Sequence, residues 1–148
     1  PPHMKKQGLF PAGRLDKDTQ GLLLLTNDGK LSHRLLSPRH HVEKVYYVKV
    51  GGELEEEDRI AFLEGIQLKD GTKCLPAKLH LLEEKGTAHL TLLEGKYHQV
   101  KRMMAARGKP VRFLKRVSMG PLQLDHDLNP GQWRPLTEEE LKKLDEIL

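Results

Sequence analysis

An aspartate stands two residues after an arginine at the start of a leucine-rich run, in GRLDKDTQGLLLLTNDG (residues 13–29). In an extended segment the side chains of Arg14 and Asp16 project to one face, while Leu15 between them turns toward a core. A carboxylate held rigidly at the edge of a buried strand is placed for nucleophilic or acid–base chemistry. An exposed aspartate in an ordinary turn is the competing interpretation of this segment.

The second candidate is the densest basic stretch of the chain, EGKYHQVKRMMAARGK (residues 94–109). Its lysines and arginines are Lys96, Lys101, Arg102, Arg107 and Lys109. One interpretation is that a basic side chain of this stretch faces Asp16 while the others bind phosphates, because a nearby cation stabilises a carboxylate that burial would otherwise neutralise. A charged helix face that is merely solvated is the alternative.

The third candidate is Tyr46, in the run EKVYYVKV (residues 43–50). The β-branched and aromatic residues of this run predict a strand, and a period of two places Tyr46 on one face with Val48 and Val50. The basic segment SPRHHVEK leads into the strand. An aromatic ring near a basic rim can stack on a nucleobase, although a tyrosine in a strand is usually a core residue.

Further elements must hold these residues in place. The apolar run at 21–27 predicts a buried strand that ends at a turn. Further strands are predicted at 75–82, 87–93, 111–119 and 122–124. Helical spacing predicts helices at 30–36, 55–64 and 97–107, and a last helix that begins after Thr137. Six or so strands with irregularly interspersed helices indicate an α+β domain with a largely antiparallel sheet.

For two of these helices, the apolar residues also predict which face points into the core. In the helix at 55–64, Ile60 and Leu63 are expected to point into the core. In the last helix, Thr137 and Glu140 complete a capping box. The apolar side of that last helix consists of Leu141, Leu144 and Leu148.

Composition bounds the class of protein. The chain has 148 residues, 37% of them hydrophobic and 31% charged, which suits one globular domain. The net charge of +4 favours an anionic partner such as nucleic acid. The single cysteine, Cys74, excludes an internal disulfide and a multi-cysteine zinc site, and we expect no metal. No stretch approaches the roughly 18 apolar residues of a membrane helix, so we expect a soluble, cytoplasmic protein without membrane partners.

The motifs GRLD, KVYYV and EGKYHQVKRM, in this order, resemble those of the RNA pseudouridine synthases. The stretches SHRLLSPRHHVEKVYYV and GPLQLDHDLNPGQWRPLTEEEL are similar to the branch that modifies small-subunit ribosomal RNA, the RsuA type. The resemblance runs from about Gly8 to Leu141. It implies the pseudouridine-synthase fold, a mixed but mainly antiparallel sheet flanked by helices.

The resemblance also implies catalytic roles. Asp16 matches the essential aspartate of the family, and Arg14 matches an arginine that helps to push the target nucleotide out of its stack. Tyr46 matches the tyrosine that stacks on the uracil and helps to remove its C5 proton. Lys101 matches the basic residue that pairs with the aspartate, and Arg102 is the other candidate for that pairing.

The implied reaction needs no cofactor. The uridine leaves the RNA stack, the N1–C1′ bond breaks, the uracil rotates, and C5 bonds to C1′. Asp16 either attacks C1′ or removes a 2′ proton. The pocket must exclude water, and Leu15 with the leucine run is expected to form its apolar wall. The residues expected to contact RNA are Arg14, Leu15, Arg39, His40, His41, Lys96, Tyr97, His98, Gln99 and Arg102.

Residues 1–148 are expected to form a single catalytic domain that is truncated at its N-terminus. Members of this branch usually begin with an S4-like RNA-binding domain and a strand with a lysine–proline pair, and the sequence carries neither. The expected partner is small-subunit (16S) ribosomal RNA or an assembly intermediate, bound by a monomer. Two alternatives stay open, a synthase for a large-subunit uridine and a non-catalytic RNA-binding module. The lack of clustered acidic magnesium ligands disfavours a nuclease or phosphotransferase.

Overall fold

The computed structural model describes residues 8–13, 15–17, 19–40, 42–95 and 98–146. Within these ranges the helices are α1 (Gly29–Leu36), α2 (Glu56–Glu64), α3 (Gln99–Ala106) and α4 (Glu138–Glu146), with a 3₁₀ helix at Pro38–His40. The strands are β1 (Phe10–Pro11), β2 (Gln20–Gly21), β3 (Leu25–Thr26), β4 (Lys44–Val50), β5 (Lys78–Leu81), β6 (Thr87–Leu92), β7 (Val111–Met119) and β8 (Leu122–Gln123).

Most strands belong to one six-stranded sheet, in the order β2-β7-β4-β6-β5 with β8 paired to the end of β7. The β2–β7 pair is parallel, and the other pairs in this sheet are antiparallel. β1 and β3 form a separate antiparallel pair. The prediction of an α+β domain with a mixed, mainly antiparallel sheet is therefore confirmed.

The larger apolar cluster lies between this sheet and helices α2 and α3. Val48 and Val50 of β4 are buried in it, and Tyr46 packs against it from the same face of the strand, as period-two alternation predicts. Met103 and Met104 of α3 are both fully buried. The packing of α3 on the sheet therefore brings this helix, with the basic residues that it carries, onto the face of the sheet that carries Tyr46.

The leucine run is not one buried strand, and this prediction was wrong. Gln20–Gly21 pairs with β7, whereas Leu25–Thr26 pairs with β1, so the chain crosses from one sheet to the other within the run. Leu24 is buried, but Leu23 and Leu25 are 41% and 36% exposed. Because the run changes sheets, its side chains do not alternate about one buried face.

The inward face predicted for α2 was also wrong. Ile60 and Leu63 are 44% and 42% exposed, whereas Asp58 and Phe62 are buried. Asp58 accepts hydrogen bonds from two basic side chains that follow α3, and these bonds allow a charged residue to occupy the inner face. An apolar pattern assigns such a residue to the outside, which rotates the predicted face.

The start of the last helix is confirmed and its apolar side only in part. The Thr137 hydroxyl accepts from the Glu140 amide at 3.1 Å, and the Glu140 carboxylate accepts from the Thr137 amide at 2.9 Å. Leu144 is buried in the smaller apolar cluster, but Leu141 is 50% exposed because α4 makes that contact through Leu144. Leu148 lies outside the described residues.

The other predicted elements agree with the structure except at their ends, whereas β1 and the 3₁₀ helix were not predicted. The strand expected at 75–82 begins only at Lys78, and the helix expected at 97–107 begins at Gln99. In the part of the chain that the structure describes, no helix combines the length and the apolarity needed to cross a membrane.

Candidate active site

Asp16 lies in a turn that leads into β2. Its backbone carbonyl accepts a hydrogen bond from the Thr19 amide at 2.9 Å, and its side chain is 24% exposed. Immediately after β2, Leu22 and Arg116 exchange two hydrogen bonds: the Leu22 amide donates to the Arg116 carbonyl, and the Arg116 Nε–H donates to the Leu22 carbonyl, each at 2.8 Å. The segment that carries the aspartate is thus fixed to the edge of the main sheet.

Gly21 allows this close attachment. It has a φ of +112°, and a Cβ built there would lie 2.1 Å from the Arg116 carbonyl oxygen. A side chain at position 21 would therefore force β2 away from β7 and displace the turn that holds Asp16.

Two side chains from the start of α3 reach the Asp16 carboxylate. His98 Nε2 lies 3.5 Å from Oδ1, and Lys101 Nζ lies 3.5 Å from Oδ2. His98 is the N-cap residue of α3 and has left-handed backbone angles, φ 47° and ψ 36°. This conformation is rare for a residue with a side chain and is typical of positions where the surrounding structure imposes it, as at functional sites.

Lys101 and Arg102 are adjacent on α3, and the structure shows which of them contacts Asp16. Arg102 turns away from Asp16, and its Nη2 contacts Asp70 Oδ2 at 2.7 Å. Hydrogen bonding from Thr72, with a further contribution from Arg102, lowers the pKa of Asp70 to about 2. The structure therefore brings Lys101, and not Arg102, to the candidate aspartate.

A small cleft of about 70 Å³ opens beside this cluster. Its lining consists of Asp16, Thr19, Tyr46, Leu92, Gly95, His98, Gln99, Val100 and Leu114. Tyr46, Leu92 and Leu114 come from neighbouring strands of the main sheet, so the sheet forms the floor. A cleft that combines an aromatic ring, apolar side chains and a carboxylate suits the binding of a flat, polar ring.

Gln99, which also lines the cleft, forms part of a buried network. Its Nε2 donates to Glu94 Oε1 at 2.9 Å and lies 3.5 Å from Met103 Sδ, and the Leu75 amide donates to the same Glu94 oxygen at 2.7 Å. Glu94 and Gln99 are 5% and 4% exposed. The network ties the N-terminus of α3, and with it His98, to the segment that precedes β5.

Glu94 and Thr19 were missed by sequence reasoning. Glu94 opens the motif EGKYHQVKRM, and its position five residues before Gln99 was the available signal. Thr19 follows GRLD by three residues and could have been included with that turn.

Several predicted contact residues do not line the cleft. Arg39 and His40 are exposed on the 3₁₀ helix, and Leu15 is half-buried in the turn before Asp16. The predicted contacts that lie outside the described residues are Arg14, His41, Lys96 and Tyr97. Among the described residues, no group of three or more histidine, cysteine, aspartate or glutamate side chains is placed to hold a metal ion.

Comparison with known proteins gives consistent matches. The model of the family described as RNA pseudouridylate synthase matches residues 1–106. A protein of Bacillus subtilis (strain 168) named "Uncharacterized RNA pseudouridine synthase YtzG" is 52% identical over 140 residues, which are 93% of this chain and 59% of that protein. The "Ribosomal small subunit pseudouridine synthase A" of Haemophilus influenzae (strain ATCC 51907 / DSM 11121 / KW20 / Rd) is 50% identical over 139 residues, 92% of this chain and 59% of that protein.

A solved structure gives the same result for the fold. The structure titled "Crystal structure of pseudouridylate synthase" superimposes with a TM-score of 0.88 at 48% identity, covering 93% of this chain and 60% of that one. The chain thus spans about 59% of the length of the curated relatives that it matches.

Proposed function

The chain belongs to the RNA pseudouridylate synthase family, and on this premise we propose that the protein isomerises a uridine of small-subunit ribosomal RNA to pseudouridine. The observation that carries the chemistry is the Asp16 carboxylate, 3.5 Å from Lys101 Nζ at the rim of a cleft whose floor is Tyr46. The small subunit is favoured because relatives about 50% identical are named for it.

Asp16 is the proposed catalytic carboxylate. It either attacks C1′ of the flipped nucleotide or removes its 2′ proton, and either step requires an ionised oxygen directed at the sugar. The contacts of Lys101 and His98 hold the two carboxylate oxygens in place, which reduces the motion that must be lost at the transition state. Lys101 is the proposed ionic partner.

Tyr46 is the proposed platform for the uracil. It lines the cleft together with Leu92 and Leu114, so a base stacked on its ring would be shielded from solvent on that side. When the N1–C1′ bond breaks, the free base rotates on this platform. C5 then bonds to C1′, while Asp16 leaves C1′ in the covalent route or returns the 2′ proton to the sugar in the other route. The C5 proton is then lost, with Tyr46 as its proposed acceptor, and N1 gains a proton, so that the product is an isomer of the substrate.

The exposed basic residues are the proposed RNA contacts. Arg39 and His40 lie on the 3₁₀ helix that leads into β4, the strand that carries Tyr46. Phosphate contacts there would orient the RNA without reading its sequence. Arg14 is proposed to occupy the place of the flipped nucleotide. The proposed substrate is ribosomal RNA, free or within an assembly intermediate, bound by a cytoplasmic monomer.

The test is tritium release from 5-tritiated uridine in unmodified small-subunit ribosomal RNA. The protein should release tritium, and Asp16→Asn should reduce the rate by about 10³-fold or more, because an amide can neither attack nor accept the proton. Asp125→Asn is the matched control, since Asp125 pairs with Arg134 outside the cleft, and it should retain the parental rate.

Two outcomes would count against this function. Release from large-subunit RNA alone would overturn the proposed substrate and keep the reaction. No release from either RNA, or equal release by Asp16→Asn, would overturn the reaction and favour a module that only binds RNA.

A further inference from the structure

Two basic side chains are buried beside the cleft. Lys44 of β4 is 3% exposed and Arg116 of β7 is 2% exposed. Lys44 Nζ and Arg116 Nη2 are both buried atoms with no hydrogen-bond partner among the residues that the structure describes. A charged group taken out of water without a partner is strongly disfavoured, because it loses its hydration and gains no compensating contact. Such a pair therefore calls for an explanation other than stability.

The register of the sheet places both cations on the face that carries the cleft. Lys44 lies two residues before Tyr46 on β4, so their side chains share a face, and its neighbour on β6 is the cleft residue Leu92. Arg116 lies directly opposite Tyr46 on β7. The cations therefore flank the proposed uracil platform.

The other face of the sheet has a different character. There Tyr47 packs edge-on against His89 and Phe113, with ring centroids 6.1 and 6.0 Å apart. No buried cation without a partner is found there among the described residues.

A third buried polar atom without a hydrogen bond lies in the turn before β2. Thr19 Oγ1 lines the cleft and is buried without a hydrogen-bond partner in the described part of the chain. Arg116 is held firmly, because its Nε donates to the Leu22 carbonyl, while Nη2 is left without a bond. Within the described part of the chain, Lys44 Nζ, Arg116 Nη2 and Thr19 Oγ1 are thus all buried without a hydrogen bond.

The surroundings of Lys44 supply no described anion. Its strand neighbours are Leu92 on β6 and Met119 on β7, both apolar. Burial, together with the charge of Arg116, lowers the pKa of Lys44 to about 8. A negative charge that enters the cleft would attract both cations and so offset the repulsion between Lys44 and Arg116.

We propose that Lys44 and Arg116 stabilise the negative charge on the uracil while it is detached from the ribose. This inference rests on the proposed function. When the N1–C1′ bond breaks, its electron pair stays on the uracil and spreads over N1, O2 and O4. This charge is consumed when C5 bonds to C1′, and loss of the C5 proton is then balanced by the proton that N1 gains. Fixed cations in a site closed to water stabilise such a transient anion without reorganising.

Neither Lys44 nor Arg116 lines the cleft. Their charges therefore act on the base electrostatically, through the layer of side chains that contains Tyr46, and neither residue touches the reacting atoms. The field of a buried charge is weakly screened over such distances, in contrast to that of a surface charge. Asp16 and Lys101 would therefore determine that the N1–C1′ bond is the one that breaks. Lys44 and Arg116 would determine how readily the uracil leaves the ribose.

The test compares Lys44→Met and Lys44→Arg with the parent under single-turnover conditions, and it measures RNA affinity separately. Lys44→Met should lower the single-turnover rate by at least about tenfold with RNA affinity unchanged. Its thermal unfolding midpoint should stay the same or rise, because an apolar side chain replaces a buried charge without a partner. Lys49→Met is the matched control: Lys49 lies on the same strand but is exposed and paired with Glu84, and its loss should leave the rate unchanged.

The pH profile separates this role from a merely structural one. The parental rate should fall as the pH rises through about 8, because Lys44 then loses its proton. In Lys44→Arg the rate should persist to higher pH, since the guanidinium stays charged.

Several results would overturn the inference. An unchanged rate in Lys44→Met would do so, and so would a rate loss that only follows weaker RNA binding. A parental rate that stays level across pH 8 would overturn it as well, because the rate would then not depend on the charge of Lys44. A parent that releases no tritium would instead refute the proposed function, so the two failures are distinguishable.

Discussion

At the residue level, one of the two partners of the Asp16 carboxylate has an unusual backbone conformation. His98 has a φ of 47°, a left-handed geometry that costs about 1–2 kcal/mol for a residue with a side chain. At this geometry His98 and Lys101 both reach Asp16 from the first turn of α3. The cost is offset by the buried Glu94–Gln99 hydrogen bond, which holds the start of the helix.

Lys101 and Arg102 give a prediction at this level, because they are adjacent and face different carboxylates. Lys101→Met should lower the single-turnover rate by about 100-fold, ~2.7 kcal/mol of transition-state stabilisation, since Asp16 loses its ionic partner. Arg102→Met removes the pairing with Asp70, and the rate should stay within about threefold of the parent. The measurement is tritium release with saturating protein, and equal losses in the two variants would contradict the assignment.

The sequence predicted these residues unevenly. The spacing of Arg14, Leu15 and Asp16 singled out the aspartate, and the basic stretch supplied its partners. Which of two adjacent cations faces Asp16 depends on the rotation of α3 about its axis, which is set by the packing of Met103 and Met104. The spacing of residues along the chain does not determine that rotation. The choice of Lys101 as the partner of Asp16 therefore came from the resemblance to a family.

At the level of elements, α3 is tied down at both ends by buried carboxylates. Glu94 holds its first residue, and Asp58 of α2 binds the segment that follows its last turn. Asp58 accepts from Arg107 Nε at 2.9 Å, from Lys109 Nζ at 3.0 Å and from the Glu55 amide at 2.8 Å. The helix that presents Lys101 therefore has little freedom to move along its axis.

Asp58 gives the prediction at this level. Burial acts to raise its pKa, but hydrogen bonds from the Glu55 amide, Lys109 and Arg107 outweigh burial and lower the pKa below its ordinary value. A depressed pKa contributes stability that is present above the unfolded-state value and is lost as the pH falls through the folded-state value. The free energy of unfolding should therefore decrease at acidic pH, and Asp58→Asn should make this decrease shallower.

At neutral pH, Asp58→Asn should lower the free energy of unfolding by about 2 kcal/mol. This is less than the roughly 3–5 kcal/mol for a fully buried pair, because both cations are partly exposed. The matched control is Glu56→Gln on the same helix, whose pairing with Arg59 is exposed and should contribute little to stability. Urea unfolding at several pH values measures both, and equal effects of the two substitutions would refute a special role for Asp58.

Pattern analysis located the helices more reliably than their faces. The period of α3 was recognised because its inner side is apolar, with Val100 and both methionines buried. In α2 the inner side includes Asp58. A sequence pattern predicts that a charged residue is exposed, because the partners that allow its burial are not visible in the local sequence. The same limit applies to Lys44 and Arg116, whose burial no local pattern indicates.

At the level of the whole molecule, the sheet order explains how distant motifs meet. β7 lies between β2 and β4, so the turn that carries Asp16 and the strand that carries Tyr46 lie on either side of it. α3 immediately precedes β7 and packs on the same face. One central strand thus organises all three motifs, and the strand order that achieves this is not encoded in any one of them.

Charge gives the last prediction, which concerns the whole RNA-binding surface. The chain carries a net charge of +4, and proteins that bind RNA through phosphates release counterions, so their affinity falls steeply with salt. Arg39 is exposed on the 3₁₀ helix and lines no part of the cleft. Arg39→Ala should weaken RNA binding and reduce the slope of log affinity against log salt by about 0.7–0.9, as expected for one lost phosphate contact.

The single-turnover rate of Arg39→Ala at saturating protein should equal that of the parent, because the substitution leaves Asp16, Tyr46 and Lys101 in place. Arg59→Ala serves as the control: it removes an exposed arginine from α2, where Glu56 already pairs with it, and the salt slope should not change. Titrations of fluorescent small-subunit RNA at several salt concentrations measure both variants. Equal slopes for the parent and Arg39→Ala would place the phosphate path elsewhere, and a lower rate with unchanged affinity would give Arg39 a part in the chemistry.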